Sequence, residues 1–354
     1  MVGAAKAGTN SIRADEACSV RVEDSGRTFA CAAQDTLLAS ALRAGLGLAY
    51  ECSSGGCGSC KVELVSGNLE SLRVDAPGLT ARDRARNRWL ACQSRVRANC
   101  VIRFNEDPAY VPLVPPRRQS ALLDSLHPLT HDLWEFRFRT ASKATFLPGQ
   151  YALMYLPGLT QTRAYSMANI ANADGAWHFQ IKRVPKGAAS AILFERFQLG
   201  DRVELDGPYS IAYLREDSPR DIVCIAGGSG LAPMLSIVRG AAQCKALSGR
   251  SIQLFYGGRE PSDIVDASHF GKLPGLGTRI HYRPVISDGK SEAAKNWTGP
   301  TGFVHQFVEQ HLKNDFSRFE FYIAGPPLMV DAARRLLIIQ NSVPLTQVHY
   351  DRFF

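Results

Sequence analysis

Apolar and polar residues alternate with a period of two through the middle of the chain, the mark of strands with one covered and one open face. In LWEFRFR, Trp134, Phe136 and Phe138 alternate with Glu135, Arg137 and Arg139; in AWHFQIK, Trp177, Phe179 and Ile181 alternate with His178, Gln180 and Lys182. The pattern recurs from about 118 to 214, with Pro148-Gly149 and Gly207-Pro208 as turns between strands and only ASAILFERF (189–197) reading as a helix. A small antiparallel barrel is expected there. From about 219 the rhythm changes: DIVCIA, SIQLFY and FEFYIA are continuous apolar runs, each followed by Gly, with helical patterns between them. Such runs suit the doubly covered strands of a parallel sheet. Before all this, residues 18–107 alternate short apolar strands with Gly-rich loops, and Leu37, Leu38, Ala41 and Leu42 stand at helical spacing ahead of Gly45, predicting one amphipathic helix.

The expected organisation is therefore a leader (1–17), a small mixed domain (18–107), a linker (108–117) with four prolines, a barrel (118–214) and an α/β domain (215–354). At 354 residues each domain can bury its own core. No apolar run reaches membrane-spanning length, and MVGAAKAGTNSIRADEA lacks the apolar stretch of a secretory signal, so a soluble cytoplasmic protein is expected. The net charge of +8 and pI near 9.1 allow an acidic partner, although such a balance far more often serves solubility alone, and no aromatic-basic motif supports nucleic acid.

Nine cysteines in a reducing compartment argue for metal or redox use rather than disulfides. YECSSGGCGSC sets Cys52, Cys57 and Cys60 in a Cys-x4-Cys-x2-Cys array, and LACQSRV supplies Cys92 after 31 intervening residues, the plant-type [2Fe-2S] spacing. Gly55, Gly56 and Gly58 would let the backbone approach bridging sulfides closely. A zinc site would use two Cys-x2-Cys pairs, and only one is present. Residues 18–107 thus resemble the plant-type ferredoxin fold, a β-grasp of mixed strands and one helix. Cys100 and Cys224 read as core, and Cys18, Cys31 and Cys244 have no ligand pattern nearby.

TRAYSMAN offers a cation, an aromatic face and a hydroxyl in Arg163, Tyr165 and Ser166, one each for the pyrophosphate, ring and N5 of a flavin. Downstream, Gly187 permits close approach and Ser190 is expected to cap a helix start able to bind phosphate. In DIVCIAGGSGLAPMLSIVR, Gly227, Gly228 and Gly230 lead into a helix with Pro233 in its first turn, a dinucleotide site that departs from the Gly-x-Gly-x-x-Gly fingerprint. Together these motifs resemble the ferredoxin-NADP reductase superfamily. The resemblance implies that Arg163 and Ser190 face the pyrophosphate of FAD (FMN in some members), that Tyr165 stacks on the flavin with Ser166 near N5, and that Gly325 and Pro326 meet the nicotinamide in a Rossmann-like domain. Ala324 stands where many members have Cys. Asp263 could meet a ribose diol and Arg259 a 2'-phosphate, leaving the coenzyme open on the residues themselves. The terminal aromatics of VHYDRFF read by themselves as anchors of a last strand, and the resemblance implies that one of them, Phe353 or Phe354, covers the flavin face.

The order of the three modules resembles the reductase components of multicomponent Rieske aromatic-ring-hydroxylating dioxygenases, of the carbazole and naphthalene type. That implies NADH as donor, FAD, a [2Fe-2S] cluster, and a ferredoxin or terminal oxygenase as acceptor, in a monomer. Reductases of soluble diiron monooxygenases or of deoxysugar biosynthesis share this order, and a ferredoxin-like module without activity is the non-enzymatic alternative. The chemistry asks for no general acid, base or nucleophile, and none of the eight histidines forms a site. Arg82, Arg84, Arg86 and Arg88 could steer an acidic partner, although such runs more often form a solvated face.

Overall fold

The computed structural model describes residues 17–354 apart from Asn314. All of the expected leader but its last residue lies outside the described residues. The chain divides between Pro112 and Leu113 into two compact units.

The first unit contains β1 (Cys18–Val22), β2 (Thr28–Cys31), α1 (Leu37–Arg43), β3 (Lys61–Ser66), β4 (Leu69–Ser71), α2 (Ala81–Ala85), β5 (Arg88–Leu90), β6 (Ser94–Val96) and β7 (Cys100–Arg103). Its main sheet runs β2-β1-β7-β3-β5, with β1 and β7 parallel and the other pairs antiparallel, and β4 pairs with β6. This is the mixed β-grasp with one main helix. Leu37, Leu38, Ala41 and Leu42 are all buried, Thr36 Oγ1 accepts the Ala39 N–H at 3.2 Å as the N-cap, and Gly45 follows with φ 70°. Cys100, Ile102 and Phe104 are core, as the alternation implied; Cys18 and Cys31 are buried cross-strand partners. All nine cysteines are free thiols. The proline-rich stretch begins as a short turn, Pro108–Tyr110, whose Tyr110 ring lies 6.0 Å from Tyr50.

The second unit opens with β8 (Arg117–Pro128), β9 (Leu133–Thr140), β10 (Tyr151–Tyr155), β11 (Arg163–Ser166), β12 (Ala176–Lys182), α3 (Ala188–Glu195) and β13 (Arg202–Tyr209). The antiparallel order is β11-β10-β13-β8-β9-β12, and the outer strands approach one another where Ala168 N–H donates to the His178 carbonyl at 2.7 Å, nearly closing a barrel. Phe136 and Phe179, fully buried inside it, contribute roughly 2 kcal/mol each by removal from water. Two expectations need correction. Gly207-Pro208 lies within β13 rather than between strands. Glu135 and Gln180, expected on the open face, are 3% and 4% exposed because a helix of the following lobe covers that face.

That lobe holds β14 (Asp221–Gly227), α4 (Leu231–Gln243), β15 (Ile252–Gly258), β16 (Ile280–Ile286), α5 (Val304–Leu312), β17 (Phe319–Gly325), α6 (Pro327–Arg334) and β18 (Val348–Arg352). All neighbours in the order β16-β15-β14-β17-β18 are parallel. Ile222 and Cys224 pack on one side with Leu235 and Val238 of α4, while Val223 and Ile225 pack on the other with residues of α5 and α6, so both faces are covered. The chain moves outward from β14 to β15 and β16, then returns to place β17 on the other side of β14. The carboxyl ends of β14 and β17 therefore flank the topological switch point, where such sheets open a ligand crevice.

Candidate functional site

The loop between α1 and β3 brings Cys52, Cys57 and Cys60 together, and the short turn after β5 returns Cys92 to them. The thiols fall into two contacting pairs, Cys52 with Cys57 and Cys60 with Cys92. Two pairs of sulfur donors suit two adjacent irons. Hydrogen-bond donors are aimed at the sulfurs: Cys52 Sγ accepts the N–H groups of Ser54 and Cys57 at 3.4 Å each, Cys57 Sγ accepts that of Ser59 at 3.5 Å, and Gln93 Nε2 lies 3.8 Å from Cys92 Sγ. The donor set fits a [2Fe-2S] cluster. The glycines also serve the loop's own backbone. Gly55 and Gly58 adopt φ of +82° and +76°, and a Cβ on Gly58 would lie 2.6 Å from the Gly78 carbonyl oxygen. Gly78 N–H donates to the Gly55 carbonyl at 2.9 Å, so a segment distant in sequence braces the ligand loop.

On the barrel, β11 carries Arg163, Tyr165 and Ser166. Arg163 Nη1 donates to the Thr162 carbonyl at 3.1 Å, Ser166 is buried, and burial pushes the half-buried Tyr165 phenol up to about 12. A cation, a ring and a hydroxyl thus stand on one short strand, a donor set suited to a flavin nucleotide. Ser190 does not cap α3 as expected. The N-cap is Gly187, and Ser190 Oγ accepts the Val184 N–H at 2.8 Å, closing the turn into the helix while keeping its own proton to donate.

In the parallel lobe, Gly227, Gly228 and Gly230 join β14 to α4, and Pro233 lies in the first turn of that helix. A Cβ on Gly230 would lie 2.1 Å from the Ala324 carbonyl oxygen, and one on Gly227 would lie 3.3 Å from Pro326 Cδ. The two loops at the switch point therefore touch. Gly325 (φ +147°) accepts the Phe353 N–H at 2.9 Å, which brings the chain end to the same place. Phe353 packs on the core of this lobe, whereas Phe354 is 55% exposed with Arg352 over its ring. Beyond β15, Asp263 is buried rather than open to a ribose. Burial opposes its charge, but the N–H groups of Glu260 and Arg259 and the ammonium of Lys182, 3.4 Å away, hold its carboxyl below the usual range. The Arg259 side chain is 80% exposed.

The sequence matches three family models in order: a 2Fe-2S iron-sulfur cluster binding domain over residues 20–97, an oxidoreductase FAD-binding domain over 120–213 and an oxidoreductase NAD-binding domain over 224–335. A ferredoxin–NAD(P)+ reductase, CarAd, of Metapseudomonas resinovorans is 42% identical over 92% of this chain and 96% of its own. The ferredoxin–NAD+ reductase component of the alkene monooxygenase system of Xanthobacter autotrophicus is 37% identical over 94% of this chain and 100% of its own. The solved ferredoxin reductase in carbazole 1,9a-dioxygenase superposes with a TM-score of 0.88 at 37% identity, covering 97% of this chain and 100% of that one. The chain belongs to the ferredoxin–NAD(P)+ reductases of multicomponent oxygenases.

Sequence reasoning missed the groups that lock this reductase's barrel onto its nucleotide lobe. Ser236 Oγ on α4 donates to the Asn169 carbonyl at 2.6 Å and accepts the Gly149 N–H at 3.2 Å. Arg239 on the same helix donates to the Ala168 carbonyl at 2.5 Å and to the Phe270 carbonyl at 3.0 Å. Both grip the turn that follows Arg163, Tyr165 and Ser166. Beside them Glu135 accepts from Arg137 at 2.7 Å, with His178 at 3.7 Å, and Lys182 bridges Asp132 and Asp263 at 3.0 and 3.4 Å. That bridge already supplies the positive charge among His131, Asp132 and Asp263, which therefore form a salt-bridge network and not a metal site. The clue available beforehand was Ser and Arg on an otherwise apolar helix. Among the described residues no helix is long and apolar enough to cross a membrane.

Proposed function

We propose that this reductase takes electrons from NADH and delivers them singly to a ferredoxin or to the terminal component of an aromatic-ring-hydroxylating dioxygenase. The observation that carries this reading is the union in one chain of paired cluster thiols with a flavin strand and a switch-point crevice, joined to 42% identity with a ferredoxin–NAD(P)+ reductase. When bound, the flavin and the cluster supply the conversion of a two-electron hydride donor into one-electron delivery. The protein's own residues bind and orient. Arg163 and Ser190 would hold the flavin pyrophosphate, Tyr165 would stack on the ring system, and Ser166 would offer its hydroxyl to the reactive nitrogen. Gly227, Gly228, Gly230 and Pro233 form the anion-binding entry to α4 for the coenzyme pyrophosphate. Gly325 and Pro326 set the nicotinamide, and of the two terminal aromatics Phe354 is the one free to cover the flavin. Cys52, Cys57, Cys60 and Cys92 are the cluster ligands.

NADH is favoured by the family resemblance, since Asp263 is buried and already paired with Lys182; exposed Arg259, which could meet a 2'-phosphate, is the competing feature. Comparison of kcat/KM for the two coenzymes decides, and a preference for NADPH refutes the assignment. The 37% identity with an alkene monooxygenase reductase favours a monooxygenase as the second reading. Reconstituted turnover with purified dioxygenase and monooxygenase components separates the two. We place the domains at 18–107, 118–214 and 215–354, and the protein as a cytoplasmic monomer.

A further inference from the structure

Beside the ligand loop of the first unit lies a groove of about 340 Å³, with Val74, Ala76, Arg84, Arg88, Trp89 and Gln93 among its lining. Its floor is continuous with the cluster site. Gln93, 6% exposed, donates to the Ser53 carbonyl at 3.1 Å and to the Cys92 carbonyl at 3.0 Å, and its Cγ lies 3.0 Å from where a Cβ on Gly55 would stand. Its rim is basic. Of the arginines that line it, Arg84 is exposed and Arg73 and Arg88 are partly so, with Arg82 and Arg86 exposed nearby on α2 and its C-cap; of the two acids between Ser71 and Ser94, Asp83 is buried and held by Lys61 at 2.8 Å and Arg88 at 3.4 Å. Only Asp75 faces outward. Val74, an apolar side chain at the edge, is 73% exposed.

We infer that this groove is the docking face for an acidic, electron-accepting iron–sulfur protein, with the arginine rim steering the encounter and Val74 and Trp89 making the dry contact. The occupant is argued from charge: the rim is nearly all positive, and electrostatic complementarity sets orientation and encounter rate at such faces. The inference rests on the proposed delivery of single electrons to a protein.

The test uses the cluster- and flavin-loaded enzyme and, as probe, a plant-type [2Fe-2S] ferredoxin of net negative charge. Kd is measured by calorimetry across a range of salt for wild type, for the double variant Arg84→Glu/Arg86→Glu, and for Val74→Glu. Wild-type binding is expected to weaken steeply with salt. The double variant is expected to bind about tenfold less tightly at low ionic strength, with a flatter salt slope, and Val74→Glu to bind less tightly at every salt concentration. Iron content should be unchanged in both. Equal Kd and equal salt slope in wild type and the double variant overturn the inference, as does absence of measurable binding by wild type. Concentration-dependent dimers that Val74→Glu breaks would assign the groove to a second copy and overturn it too. The underlying function is read separately, by NADH-dependent reduction of cytochrome c with the wild-type enzyme.

Discussion

In the first unit the thiols Cys52, Cys57 and Cys60 share one loop and need only Cys92 from elsewhere, whereas the coenzyme crevice of the second unit joins Gly227, Gly230, Ala324 and Phe353, which meet only once a parallel sheet has formed. The first site is held mainly by local backbone geometry, braced by Gly78; the second is held by packing between elements distant in sequence. Substitutions at ligand positions should therefore dominate the first site, and substitutions at contacts between elements the second.

The largest effect is expected at Gly230. A Cβ there would lie 2.1 Å from the Ala324 carbonyl oxygen and 2.9 Å from the Gly325 amide nitrogen. Both are backbone atoms at the end of a central strand, so no side chain can swing aside. Gly230→Ala must push α4 from β17, at a cost of about 3 kcal/mol, and a shift of that kind spoils orientation by roughly a hundredfold in rate. Stopped-flow measurement of flavin reduction by NADH should show this loss while iron content and the visible spectrum of the cluster stay intact. Wild-type rates would mean that the two loops do not depend on each other's position.

What could be read from the chain follows the same division. Spacing alone predicted that Cys52, Cys57, Cys60 and Cys92 come together, and periodicity predicted α1, the alternating strands and the runs at β14, β15 and β17. Gly78 could not be recognised, because its role is to meet Gly58 across the fold. Glu135 and Gln180 misled for a related reason: their alternation is that of an open face, and only the docking of α4 makes them buried. Asp263 reads as able to meet a ribose diol, and only the fold shows its carboxylate accepting the N–H groups of the turn that contains it.

Acid should separate the units next. Burial drives the His178 imidazole down to about 4, against the pull of the Glu135 carboxylate and with help from Arg137 and Arg239. Its depressed value means that unfolded chains take up a proton the folded one refuses, so stability falls as pH drops from 6.5 toward 4. Glu135, held below the usual range by His178 and Arg137 despite burial, adds to the loss as pH falls through its folded value. The second unit should lose roughly 2 kcal/mol across this window, and His178→Gln should flatten the slope. In the first unit Asp83, kept well below the ordinary range by Lys61 and Thr80, sustains its contribution to lower pH. Urea titrations at a series of pH values, read by unit-specific fluorescence or hydrogen exchange, would contradict this if both units lost stability in parallel.

The smallest effect concerns the same independence from the other side. Thr36 Oγ1 accepts the Ala39 N–H at 3.2 Å, and the helix it caps buries Leu37, Leu38, Ala41 and Leu42 entirely within the first unit. Thr36→Ala leaves that N–H without its acceptor and should cost about 1 kcal/mol. In a domain of this size such a loss lowers Tm by about 5 °C. Calorimetry of the holoenzyme should show the first unit's transition moving alone, with NADH-dependent ferricyanide reduction surviving to the wild-type temperature. If both transitions moved together, the two compact units would unfold as one cooperative body, and the contrast between a local site and an assembled one would apply to geometry but not to stability.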